Sequence, residues 1–94
     1  MIKQYRIEYK EQFEIDVQRH KKSGQKIIVR KIDRFLDELK THPTTGIGKP
    51  EPLTGDRNGQ WSRRISDKHR LVYEIHENIV TVVALSAWGH YGDK

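Results

Sequence analysis

The sequence predicts an α+β fold, one domain over residues 1–94 with elements in the order β-α-α-β-β-β, an antiparallel sheet and an amino-terminal helical pair packed on one of its faces. Three observations carry this. A one-sided apolar stripe at helical spacing runs through residues 25–40. Three strand-like segments follow residue 60. A single alternating segment opens the chain, ahead of the helical pattern.

In the opening segment, residues 2–9, Tyr5, Ile7 and Tyr9 fall on one side and Arg6 and Glu8 on the other, the pattern of a strand with one buried face. From Lys10 the period changes. Phe13, Val17 and His20 follow Tyr9 at helical spacing, and Ser23-Gly24 is a stop signal. The second helix, over residues 25–40, presents Ile28, Ile32, Phe35, Leu36 and Leu39 as one stripe; Pro43 ends it, because the residue before a proline avoids helical geometry. Residues 42–59 form a connection rich in Gly, Pro and Thr, longer than compact domains carry without a use for it. Strands are expected over residues 60–66, 70–76 and 79–86, with Glu77-Asn78 as the turn between the last two. In the middle one Leu71, Tyr73 and Ile75 face the helices. The last is apolar on both sides (Ile79, Val80, Val82, Val83, Ala84, Leu85), so both its faces are expected to be covered. Strands consecutive in sequence pair as neighbours, which gives an antiparallel sheet with the helices on one face and the other face left for a site.

Ninety-four residues suffice for one domain with one modest core. The absence of cysteine excludes a disulfide framework and a thiolate zinc site. A formal charge of +5 and a pI near 9.6 favour a polyanionic partner, a balance that a merely soluble basic protein shares. The amino terminus turns polar at Lys3-Gln4 with no apolar stretch behind it, and no run approaches the ~20 apolar residues that cross a bilayer. A cytoplasmic protein without membrane contact is expected. No paired-histidine or paired-carboxylate spacing suggests a metal, and Gly46-Ile47-Gly48 lacks the rest of a nucleotide-binding loop, so no cofactor is expected.

Glu51 stands between Pro50 and Pro52. Each proline fixes its own φ and biases its predecessor toward extended backbone, so the carboxylate is carried on a stiff segment. Such stiffness fits a side chain that must be aimed, and equally a rigid surface turn whose carboxylate pairs with an arginine. Arg63, Arg64, Lys68, His69 and Arg70 make a dense cationic block across two strands, with Arg64 and Arg70 on the side away from the helices. Arginine suits phosphate because its planar fork bonds two oxygens at once. The block suits equally a solvated edge paired with Asp67, Glu74 or Glu77. His90 and Tyr91 follow the last strand. A histidine titrates near neutrality and can act as a general acid, or the two can form a hydrogen-bonded surface pair. Trp88 either stacks on a base or closes the edge of the core. His20, His42 and His76 lie outside any motif and read as structural or exposed. Together, a stiffened carboxylate, clustered cations and a late histidine are equipment for cutting RNA without a metal. With no cysteine and no serine triad, the nucleophile is placed on the substrate, as the ribose 2′-hydroxyl.

The runs Gly46-Ile47-Gly48-Lys49-Pro50-Glu51-Pro52-Leu53, Gly59-x-Trp61-Ser62-Arg63-Arg64-Ile65, His69-Arg70-Leu71-Val72-Tyr73 and His90-Tyr91, in that order, resemble the YoeB/Txe toxins of the RelE superfamily. The match spans residues 46–91; the amino-terminal half fits as a strand plus a helical pair. The resemblance implies a RelE-like fold, similar to that of small microbial ribonucleases. It also implies an mRNA endoribonuclease that acts in the ribosomal A site and inhibits translation. It makes Glu51 the general base, His90 the general acid and Arg70 the cation on the scissile phosphate. Lys49 and Arg64 assist with phosphate, and Tyr91 positions the RNA or supports His90. Arg63, His69 and Trp88 complete the candidate RNA-binding set. The implied products are a cyclic phosphate and a free 5′-hydroxyl. The implied partner is a YefM-like antitoxin, with operator DNA contacted only through that complex; dimerisation of the free protein is left open. The chain departs from many relatives at Trp88-Gly89, just before His90, and in the Gly92-Asp93-Lys94 tail. Two rival readings use the same basic face: a non-catalytic module that binds ribosomal RNA and blocks the A site by occupancy, and a co-repressor subunit of the antitoxin.

Overall fold

The computed structural model describes residues 3–57 and 59–89. Strand β1 (Arg6–Tyr9) leads into helices α1 (Glu11–Lys22) and α2 (Lys26–Leu39). Then come β2 (Glu51–Pro52), a short 3-10 turn at Gly55–Arg57, β3 (Gln60–Arg64), β4 (Arg70–His76), a second 3-10 turn at Glu77–Ile79 and β5 (Thr81–Ser86). The strands form one five-stranded sheet in the order β1-β5-β4-β3-β2.

The α+β class and the helical pair agree with the sequence, but the sheet is mixed rather than antiparallel. β1 lies parallel to β5, with Ile7 opposite Val82, while β2, β3, β4 and β5 pair antiparallel in turn. Sequential pairing fixes direction only for strands joined by short turns. The helical pair carries the chain from β1 to β2 at the opposite edge of the sheet, and β1 pairs instead with the last strand, so neither its neighbour nor its direction is written in its own residues. The connection over residues 42–59 also holds more order than expected, since Glu51–Pro52 pairs with β3 as an edge strand. An edge is where a proline, which lacks an N–H, can be tolerated.

Local signals account for the element ends. α1 stops where Gly24 takes φ 72; its amide donates to the Lys21 carbonyl at 3.1 Å and that of Gln25 to the His20 carbonyl at 3.0 Å. This is a Schellman closure, and its positive φ is why glycine stands there. β5 begins at Thr81 rather than at residue 79 because Val80 takes φ 47 after the 3-10 turn, and extended backbone resumes only beyond it.

The core lies between the helices and one face of the sheet. Phe13, Ile32, Phe35 and Leu39 pack on Ile65, Leu71, Tyr73, Val82, Ala84 and Ala87, with Ile28 and Leu36 partly buried at the margin. The α2 stripe is thus the predicted one. α1 is different: beside Phe13 it buries Asp16 and His20. β5 lies between β1 and β4, which explains its apolar composition; Thr81, Val82, Val83 and Ala84 are all buried. No helix among the described residues is long and apolar enough to cross a membrane.

Candidate active site

Arg63 organises the connection that carries Lys49 and Glu51. Its side chain points toward the helices and is fully buried. Its guanidinium pairs with Glu38 and donates to the carbonyl oxygens of His42 at 2.6 Å, Thr45 at 2.8 Å and Ile47 at 3.3 Å, and its Nε donates to the Tyr73 hydroxyl at 3.3 Å. Tyr73 in turn donates to the Pro43 carbonyl at 2.7 Å, and Glu38 accepts from the Ile47 amide at 3.0 Å. The loop's backbone groups therefore find partners in one buried cation and its neighbours, as buried polar groups must. Burial pushes the Tyr73 phenol above its usual pKa, against the opposing pull of Arg63. This corrects the assignment of Arg63 to RNA. A guanidinium with no exposed surface and a full set of internal partners is a structural ion, not a phosphate ligand.

Beyond that anchor, Gly48 takes φ 82, and a Cβ there would stand 2.6 Å from the Phe35 ring. Glycine is required on both counts. The Gly48 carbonyl accepts from the Arg64 amide at 2.7 Å, tying the loop to β3. Lys49 follows with φ 50, a left-handed conformation that costs a residue with a Cβ roughly 1–2 kcal/mol. Pro50 then directs the chain into β2.

The sheet face away from the helices gathers the other candidates. Residues directly opposed in a ladder share a face. Glu51 opposes Ser62 and Ser62 opposes Val72, while Arg64 opposes Arg70 two residues along, about 7 Å from that row. Arg70 Nη1 lies 3.7 Å from Glu51 Oε1, with the arginine side chain 20% and the glutamate side chain 50% exposed. Ser62 and Val72 are buried beneath them as a floor. Arg64 pairs with the exposed Asp67, a surface pair of the kind worth about 0–1 kcal/mol.

The end of β5 brings the remaining candidates toward the same corner. His69 Nδ1 accepts from the Gly89 amide at 2.9 Å, and the Arg70 amide donates to the Gly89 carbonyl at 3.0 Å. The Trp88 ring packs against Arg19 at 3.6 Å, His20 at 4.6 Å and His69 at 4.5 Å. These contacts give both residues a structural task. Trp88 is engaged by three side chains and closes the edge of the core, and His69 holds backbone through the nitrogen lone pair that Gly89 occupies. His90 and Tyr91 lie outside the described residues. Asp16 and His20 of α1 also belong to this corner. Asp16 carries no motif, and His20, expected to be structural or exposed, is buried. The available signal was position: both fall on the inward side of α1 with Phe13. Among the described residues, no three of His, Asp and Glu lie together as a metal set.

The face thus presents a carboxylate able to accept a proton beside two guanidinium groups able to neutralise a phosphate.

A family model described as the YoeB-like toxin of bacterial type II toxin–antitoxin systems matches residues 9–91. Toxin YoeB of Mycobacterium bovis is 52% identical over 62 residues, 66% of this chain and 71% of that protein. Among solved structures, the YoeB/ParE toxin from Agrobacterium tumefaciens superimposes with a TM-score of 0.85 at 31% identity, covering 92% of this chain and 99% of that one. The YoeB-YefM complex from Staphylococcus aureus matches with a TM-score of 0.77 at 33% identity, over 93% of this chain and 98% of that one.

Proposed function

The chain belongs to the YoeB-like toxins of bacterial type II toxin–antitoxin systems, and from that membership we propose that it is an endoribonuclease that cuts mRNA in the ribosomal A site. In this reading Glu51 removes the proton of the ribose 2′-hydroxyl at the cut site. The freed oxygen attacks the adjacent phosphorus, the bond to the 5′-oxygen breaks, and His90 delivers a proton to that oxygen as it departs. Arg70 and Arg64 offset the charge that builds on the phosphoryl oxygens, usually the largest catalytic term. The exposed Lys49 adds a cation two residues before Glu51, and Tyr91 supports His90 or the RNA. A 2′,3′-cyclic phosphate and a free 5′-hydroxyl result, with every proton accounted for by the base and the acid.

The observation that carries the reading is the placement of Glu51 3.7 Å from Arg70, on a face where Arg64 stands opposite Arg70. In support, the backbone of Gly89 is bonded to that of Arg70, and His90 follows by one peptide bond. By analogy with the Staphylococcus aureus complex, the inhibitor is a YefM-like antitoxin, and operator DNA is contacted only through that complex.

The test is cleavage of a defined mRNA on programmed ribosomes, mapped by primer extension. Glu51→Ala should lower the single-turnover rate by about 10²–10⁴-fold while ribosome binding persists. A protein that blocks translation without cutting mRNA, and whose Glu51→Ala variant blocks equally well, acts by occupancy and not by catalysis.

A further inference from the structure

We propose that Asp16, Arg19 and His20 of α1, with His69, are positioning residues that clamp the backbone over Ala87, Trp88 and Gly89 and so aim the residue that follows. The inference rests on the reading of His90 as the general acid.

β5 ends at Ser86, so the backbone groups of Ala87 have left the strand ladder. Two side chains one helical turn apart on α1 take them both. Asp16 Oδ2 accepts from the Ala87 amide at 2.8 Å, and His20 Nε2 donates to the Ala87 carbonyl at 2.9 Å. Asp16 is itself held, its Oδ1 accepting from Gln12 Nε2 at 2.8 Å. Both residues are almost wholly buried, at positions where a core-facing helix would carry apolar side chains. His20 Nδ1 is buried with no hydrogen-bond partner among the described residues. A leucine or phenylalanine there would fill the core without leaving such an atom. The polar pair instead fixes one residue by both its amide and its carbonyl.

The next two residues are fixed as well. Trp88 is held through its ring by Arg19, His20 and His69. Gly89 is held through its amide by His69 Nδ1 and through its carbonyl by the Arg70 amide. Three consecutive residues are therefore fastened from two directions, by α1 and by the start of β4. The Arg70 amide that takes part belongs to the residue whose guanidinium lies beside Glu51. A strand end held only for stability needs no contact beyond Ala87. A segment carried on to Gly89 and tied to the backbone of Arg70 is registered to the site.

Sulfur chemistry at the leaving group tests this. A 5′-bridging sulfur at the cut linkage leaves as a thiolate without needing a proton, so it rescues loss of the acid but not loss of the base. Ribosomes programmed with the ordinary and the sulfur-containing mRNA are compared under single turnover, with circular dichroism of each variant. His20→Phe keeps a ring against Trp88 but removes the donor to Ala87, and Asp16→Ala removes the acceptor. Each should slow ordinary cleavage by about 10²-fold, the scale of an ångström's misplacement, with unchanged half-saturating toxin concentration. Each should recover most of that loss on the sulfur substrate. Asp16→Asn keeps an acceptor and should stay near wild type. Should either variant lose its fold, the exposed Arg19→Gln reports on the same clamp with a smaller loss and the same recovery. Equal losses on both substrates, or no loss at all, overturn the proposal. His90→Ala separates the two readings. If the sulfur substrate restores His90→Ala but not the clamp variants, only the clamp fails; if it does not restore His90→Ala, the assignment of the acid fails.

Discussion

At the scale of the residue, Arg63 and Arg64 are adjacent in the chain and opposite in use. Parity along β3 decides it: Arg64 shares a face with Arg70, and Arg63 turns inward onto Tyr73 and Glu38. That parity was legible, since placing Arg64 away from the helices already sends Arg63 toward them. The sequence alone gave no sign that a buried cation would find carbonyl partners there, because those carbonyls belong to a loop with no periodicity. Removing the cation strands the loop carbonyls and leaves Glu38 without its counter-ion, held among the described residues only by the Ile47 amide. Arg63→Met should therefore destabilise the fold by about 3–5 kcal/mol in chemical denaturation, the cost of breaking a buried ion pair from one side. Tyr73→Phe strands the Pro43 carbonyl and should cost about 1–3 kcal/mol. It should also change the alkaline behaviour. The folded phenol is raised above the free value of 10.0, so the unfolded chain ionises first, and wild-type stability falls as pH rises from there toward the folded pKa. The Tyr73→Phe protein should lose that part of the slope. An unchanged slope would mean that the buried phenol titrates as freely as an exposed one.

At the scale of the element, α2 was legible because it buries one continuous apolar stripe, and β4 and β5 because their apolar residues are those the sheet buries. α1 was only half legible. Its Phe13 and Val17 fit the pattern, but Asp16 is buried for the sake of a peptide group about seventy residues away, which no local window contains. β2 was hidden for a related reason: two residues, the second a proline and the first preceded by one, cannot show alternation, and their order comes from pairing with Ser62 and Trp61. What sets β2 in register is the close packing of Gly48 on Phe35 and on the Arg63 stem. Gly48→Ala would force a Cβ into that ring at a positive φ. It should cost about 1–3 kcal/mol and move Glu51 relative to Arg70, lowering cleavage beyond what the stability loss explains. Thermal melts and single-turnover rates on the same preparation check this. A variant that melts lower yet cuts at the wild-type rate would show that the loop does not aim Glu51.

At the scale of the whole molecule, the fold divides its labour between two sides of one sheet. The helices bury one face, and the other keeps Glu51, Arg64 and Arg70 accessible over a floor of small and apolar side chains. The class of the fold and this division were legible from the order of the elements. The parallel direction of β1 was not, and His90 and Tyr91 fall outside the described residues. A chain of net charge +5 with its site cations on one face should be inhibited by an acidic antitoxin segment that competes with RNA, and the competition should weaken with salt. Fluorescence competition with a short RNA is the measurement; simultaneous binding without mutual weakening would place the antitoxin elsewhere. The central claim is that the substrate supplies its own nucleophile while Glu51, Arg70 and Arg64 serve it. The most direct test replaces the single 2′-hydroxyl at the mapped cut site of a ribosome-bound mRNA by hydrogen. Cleavage there should be abolished with toxin binding essentially unchanged; a 2′-deoxy linkage cut at a rate comparable to the ribose would make water the nucleophile and contradict the account.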